Sequence, residues 1–240
     1  MTGVHRVTKE HVAVKVCMDK DVTEREIETM RNIEPHPNIV PILDTWKHKL
    51  NVFIVMPRAN ENLIEYVENL EEKMQIVVRE GGGTLLEFAD MMIQGVLHLH
   101  NSEPKVIHRD LKPANILIFE EDGRDVIKIC DFGISKFMDG TSLQTNIGTP
   151  RYKAPEVSGG RYHEEVDAWG LGLVLYFLMT GEHHPDIPDI KEGTQDWTKQ
   201  RLFLEDLQTK FVEQLIPRLL KLEPTQRISL ENVNQQIKGN

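Results

Sequence analysis

The chain has 240 residues, a formal net charge of −10 and a sequence pI of about 5.5. That acidity argues against a nucleic-acid groove or an anionic membrane surface as the main partner. Its 40% hydrophobic and 28% charged residues are ordinary for a soluble globular protein, one large domain or two small lobes around a cleft. Cys17 and Cys130 are the only cysteines, so no disulfide framework is expected and a reducing, intracellular setting, most simply the cytoplasm, is the reading. Met1 opens no apolar signal segment. The longest apolar run, Ala168–Met179, falls short of the roughly 20 residues that span a bilayer, which predicts a buried helix and no membrane insertion.

In chain order, Val12–Val16 is short and β-branched and predicts a strand. Asp19–Ile33 carries Val22, Ile27, Met30 and Ile33 near helical spacing among charges, which predicts an amphipathic helix ended by Pro35 and Pro37. Ile39–Leu43 and Val52–Met56 are apolar strand candidates, the second stopped by Pro57. Asn62–Val78 is helix-like in part, and Gly81–Gly83 breaks it. Leu85, Phe88, Ala89, Met92, Val96 and Leu99 form a helical stripe within Thr84–His100. Strands follow near Ile116–Phe119 and Val126–Ile129, with a turn at Glu121-Asp122-Gly123, and from Asp167 onward the pattern is helical. The change from strands to helices places a lobe boundary near Pro57–Asn60. That gives an α+β chain with a small β-rich lobe, residues 1–58, and a larger helical lobe, residues 59–240.

The residues that carry chemistry cluster in Val106–Leu117, where an acid (Asp110), a base (Lys112) and an amide (Asn115) stand at fixed offsets in a loop between apolar runs. A second acid follows in Asp131-Phe132-Gly133, where Gly133 lets the backbone turn sharply. Together these groups suit a site that holds a metal–triphosphate and removes a proton from a hydroxyl. Asn115 and Asp131 supply the oxygen donors that a hard cation such as Mg²⁺ prefers.

With these motifs in this order, the chain resembles a eukaryotic-type protein kinase domain of the serine/threonine group, from about Val4 to the C-terminus. The resemblance implies a two-lobed α+β fold and phosphoryl transfer from ATP, with Mg²⁺, to a serine or threonine hydroxyl of a protein substrate. It implies Asp110 as the base, Lys112 as the group that offsets charge on the transferred phosphoryl, and Asn115 and Asp131 as metal ligands. A lone strand lysine is ordinarily a solvated surface residue. Here Lys15, in Val12-Ala13-Val14-Lys15, resembles the family's phosphate-holding lysine, and Glu26 best matches its helix partner, with Glu24 or Glu28 as alternatives. Met56 resembles the residue behind the adenine pocket. The Pro57 carbonyl and the Ala59 amide would meet the base, and Ala13 and Leu117 would sandwich it.

Further matches have scaffold roles. Glu156 is expected to pair with Arg227, and Asp167 to anchor the catalytic-loop backbone. Gly148–Glu156 resembles the end of an activation segment, in which Thr149 agrees with serine/threonine specificity. Arg109 could bind a phosphate on Thr141, Ser142 or Thr145. Gly81–Gly83 reads as a linker and not as a phosphate cradle, and His98, His100, His183 and His184 read as structural or surface residues. Ala114 and Asn62 leave the substrate preference illegible.

The resemblance departs from the family at the start. Only Met1–Lys9 precede the lysine strand, Gly3 is their only glycine, and Val4–Thr8 is a candidate for the family's second strand. The first strand and its phosphate-covering Gly-x-Gly-x-x-Gly loop are not seen. Three readings follow: a fragment of a full kinase, a short kinase with weak activity, or a pseudokinase-like scaffold that binds partners without turnover.

Overall fold

The computed structural model describes residues 1–4, 9–18, 28, 31–69, 85–131, 150–159, 163–183 and 207–239. The first sheet contains β1 (Thr2–Val4), β2 (His11–Met18), β3 (Asp44–His48) and β4 (Asn51–Pro57), in the order β1-β2-β4-β3 and antiparallel throughout. The β-branched run at Val12–Val16 is the centre of β2. Its register sets Ala13 against Met56, Lys15 against Ile54 and Cys17 against Val52. Residues two apart share a face of a strand, so Ala13 and Lys15 point the same way. On that face Val52 and Ile54 form a buried cluster with Cys17, Ile42 and Met56 packed against it.

The strand expected at Ile39–Leu43 is not there. Ile39 makes a single parallel bridge to Ile129, and the strand lies at Asp44–His48 instead. Pro41 has no N–H to give a ladder. The residues before it are already bonded elsewhere: Val40 N donates to Ile129 O at 2.9 Å, and Ile129 N donates to Asn38 O at 2.9 Å. β3 itself is mostly exposed and carries no apolar alternation, so pairing with β4 defines it and hydrophobic pattern could not. The strand expected at Val4–Thr8 begins earlier, at Thr2, and residues 5–8 lie outside the described residues.

Of the helix expected at Asp19–Ile33, Glu28, Arg31 and Asn32 are described and helical. Within Asn62–Val78 the structure describes α1 (Leu63–Glu68). Asn62 caps it: its side chain accepts from the amides of Ile64 and Glu65, while Glu65 Oε2 accepts from the Asn62 amide at 2.9 Å.

The second sheet, β5 (Glu61–Asn62), β6 (Ile116–Glu121) and β7 (Arg124–Ile129), starts directly after Pro57–Asn60. β6 and β7 close on Asp122 and Gly123, both at positive φ (52° and 76°). A two-residue hairpin turn of that hand suits the right-handed twist of its strands.

Helix α2 (Leu85–His100) buries the whole predicted stripe and adds Ile93, Leu97 and His100 to it. Helix α3 (Glu165–Thr180) contains the Ala168–Met179 run and is buried from Val166 to Thr180, as the all-apolar pattern required. Gly181, at φ 75°, ends it in the left-handed conformation, and its amide returns to Phe177 O at 2.7 Å. α4 (Leu207–Leu219) and α5 (Leu230–Lys238) complete a core that runs from α1 and the second sheet through α2 and α3. Each fully buried aliphatic or aromatic side chain there contributes about 1.5–3 kcal/mol.

Candidate active site

Three elements meet around the loop that leads from Val106 to the 3₁₀ turn Pro113–Asn115. Asp110 is the centre of a compact set of bonds. Lys112 Nζ lies 2.6 Å from Asp110 Oδ2, and Asn115 Nδ2 lies 3.2 Å from the same oxygen and donates to the Asp110 carbonyl at 2.8 Å. Residues 110, 112 and 115 come together because the turn folds back, with the Asn115 amide on Lys112 O at 2.9 Å.

The loop is tied to the end of β7. Cys130 N donates to Asn115 O at 3.0 Å, and His108 Nε2 lies 2.9 Å from Cys130 O. Asp110 N donates to His108 Nδ1 at 3.3 Å. A ring that accepts at Nδ1 carries its proton on Nε2, so His108 donates to Cys130 O and joins the loop to the segment that follows β7. The next residue, Asp131, is at φ 64°, and Arg109 is at φ 66°. Non-glycine residues in this region hold strain that surrounding bonds must maintain, and such residues gather at working sites.

Asp167, at the start of α3, maintains the strained turn at Arg109. Its Oδ2 accepts from His108 N at 2.8 Å and its Oδ1 from Arg109 N at 2.7 Å, while His100 Nε2 lies 2.8 Å from Oδ2. Burial alone would raise this carboxyl. The hydrogen bond and charge of His100, together with the Arg109 amide, overcome burial and hold it below the usual carboxylate range. Burial, reinforced by the Asp131 charge, pushes the Cys130 thiol up to about 12, so it is a packed thiol and not a nucleophile.

Lys15 reaches the site from β2. Its Nζ lies 2.8 Å from Asp131 Oδ1, both side chains being half-buried. The expected partner, Glu26, lies outside the described residues, as does Glu24, and Glu28 is exposed. On the strand face it shares with Lys15, Ala13 is paired with Met56. Met56, Ala59 and Leu117 all pack against one cluster, Val40, Phe119 and Cys130. Arg58 N donates to His11 O at 3.3 Å, so Val12 and Pro57 form a non-bonded pair of the ladder and β2 does not use the Pro57 carbonyl.

The donor set suits magnesium. Asn115 turns its nitrogen toward Asp110, which leaves Oδ1 as the oxygen it could offer a cation, and Asp131 follows Cys130, whose amide bonds Asn115 O. No group of three or more His, Cys, Asp or Glu among the described residues could hold an ion. Two protein oxygens completed by phosphates and water are the usual way a protein holds Mg²⁺.

Two functional groups go beyond the sequence reading. The bridge from His108 to Cys130 has no local signature, because the two residues lie on separate elements. His100, expected to be structural or at the surface, is structural, and its contact is the carboxylate that fixes the catalytic loop. Glu156 and Arg227 do meet, with Arg227 Nη2 2.7 Å from Glu156 Oε2. Gly133, Thr141, Ser142, Thr145, Gly148 and Thr149 lie outside the described residues.

Residues 1–237 match the family described as protein kinase domain. The SNF1-related protein kinase catalytic subunit alpha KIN12 of Arabidopsis thaliana is 32% identical over 97% of this chain and 47% of its own length. The carbon catabolite-derepressing protein kinase of Saccharomyces cerevisiae is 31% identical over 96% of the chain and 36% of its own length. Serine/threonine-protein kinase SIK1 of Rattus norvegicus is 32% identical over 96% of the chain and 30% of its own length. The chain therefore spans less than half of the length of each of these relatives.

Proposed function

The chain belongs to the protein kinase family, and from that premise we propose that it transfers the γ-phosphoryl group of ATP to a serine or threonine hydroxyl of a protein. The observation that supports this most directly is the convergence of Lys112 and Asn115 on one oxygen of Asp110, with Asp131 held one residue beyond the Cys130 amide that Asn115 binds. Asp110 orients the hydroxyl and takes its proton. Lys112, already beside that carboxylate, offsets charge on the transferred group. Asn115 and Asp131 would hold Mg²⁺, which when bound neutralises phosphate charge. Lys15 reaches the phosphates from β2, and its contact with Asp131 gives way to them. Ala13, Met56 and Leu117 receive the adenine, with the Pro57 carbonyl and the Ala59 amide at its edge. Substrate serine and threonine residues belong to a partner protein, and relatives with serine/threonine kinase in their names support that class.

Titration calorimetry with Mg²⁺·ATP tests the reading. The wild-type chain should bind, and Asp131→Ala should weaken binding at least about tenfold, a loss of about 1.4 kcal/mol. Absence of binding at millimolar nucleotide would overturn it.

A further inference from the structure

A half-open pocket of about 450 Å³ is lined by the 31–42 segment and by Lys128 of β7, and none of the residues assigned to phosphoryl transfer lines it. Its volume lies within the roughly 300–1,000 Å³ usual for ligand sites. The walls are aliphatic, from Ile33, Val40 and Ile42 among others, with prolines that fix the backbone. The polar groups at its edge are mostly donors, although the chain as a whole carries a net charge of −10.

Three groups define that edge. Arg31 uses Nη2 on Thr45 O at 3.3 Å and on the Thr45 hydroxyl. Lys128 Nζ pairs with Glu121 Oε1 at 2.9 Å and lies 5.5 Å from the centre of the Phe119 ring; Glu121 is itself half exposed. His36 accepts the Asn38 amide at Nδ1 (3.1 Å), which leaves the ring proton on Nε2 as a neutral donor. Burial, with the charges of His98 and Lys128, keeps His36 below the ordinary histidine range. The ring stacks on His98 at 4.6 Å, and His98 in turn bonds Glu34 O at 2.7 Å, so the donor is held in place. Glu34 is the one acid in the lining and is exposed.

We propose that this pocket docks an acidic, apolar peptide segment of a partner protein, seating a leucine-sized side chain between the aliphatic walls and a neighbouring carboxylate on Lys128, Arg31 and His36. The charge complementarity is local: a carboxylate replaces Glu121 on Lys128 in a pocket whose lining also carries Arg31 and His36. The same wall is bonded to Ile129 through Asn38 and Val40, two residues before Asp131, so a seated peptide braces the strand that leads to Asp131.

Fluorescence polarisation with a labelled Asp-Leu-Asp-Leu-Asp peptide, in the absence of nucleotide, tests the site. The peptide should bind, and its Asn-Leu-Asn-Leu-Asn counterpart should bind at least about tenfold more weakly. Lys128→Gln should weaken the acidic peptide about tenfold. Glu121→Gln removes the competing carboxylate and should tighten binding, a gain that misfolding cannot produce. No binding at millimolar peptide, equal affinity for both peptides, or unchanged affinity in both variants would overturn the proposal. Calorimetry with ATP alone reads the nucleotide site separately, so failure of either reading leaves the other standing.

Discussion

Lys112 and Asn115 donate to the same oxygen of Asp110, which fixes the orientation of that carboxylate. Asp110→Asn keeps the shape and removes the proton acceptor. Phosphotransfer should fall about 10²–10⁴-fold, the usual worth of a positioned general base, while calorimetric binding of Mg²⁺·ATP persists; an unchanged rate would remove Asp110 from the mechanism. Asp167 works through the backbone instead. Its folded-state pKa is depressed, so its contribution to stability is complete above the ordinary carboxylate range and is lost as pH falls through the lower folded value. Thermal melts of the wild type should therefore decline as pH drops below about 4. Asp167→Asn should be destabilised at neutral pH by about 3–5 kcal/mol, because two amides and a histidine lose a buried anion, and its pH profile should be flatter. Parallel profiles would show that another group controls the acid limb.

Helix α3 positions the catalytic loop by contact as well as by Asp167. A Cβ placed on Gly170 would stand 2.9 Å from Leu111 Cβ and 3.3 Å from Leu111 O, and neither atom is the end of a flexible chain. Leu111 lies between Asp110 and Lys112, so Gly170→Ala pushes directly on the site. The expected cost is about 1–3 kcal/mol of overpacking, read in urea melts, with kcat reduced more than the KM for ATP. A stable variant with normal kcat would show that the loop relaxes freely. The helical stripe of α2 and the apolar run of α3 were legible in the sequence because burial on one face or on all faces is a local pattern. β3 was not, since four of its five residues are exposed and its partner strand alone makes it a strand.

Across the whole chain, Arg227 gathers segments that are far apart in sequence. Its guanidinium meets Glu156, bonds Lys221 O at 2.7 Å and Glu165 O at 3.0 Å, and lies 5.1 Å from the centre of the Trp169 ring. The side chain is almost fully buried. Arg227→Ala should lower stability by about 3–5 kcal/mol in chemical denaturation, since it strands the Glu156 carboxylate. Arg227→Lys should recover little, because an ammonium cannot reproduce the planar fork. Full stability in both variants would reduce the pair to a surface contact.

The sequence alone singled out Asp110, Lys112, Asn115 and Asp131 as candidates, because they form a local pattern whose spacing is set by one short turn and one hairpin. It also determined which helices are buried, through composition and period. Only the tertiary structure decided what holds that pattern in place. The His108 bridge to Cys130, the His100–Asp167 contact, the Lys15–Asp131 pair and the β3 strand each join residues with no shared local pattern, at separations that packing alone closes.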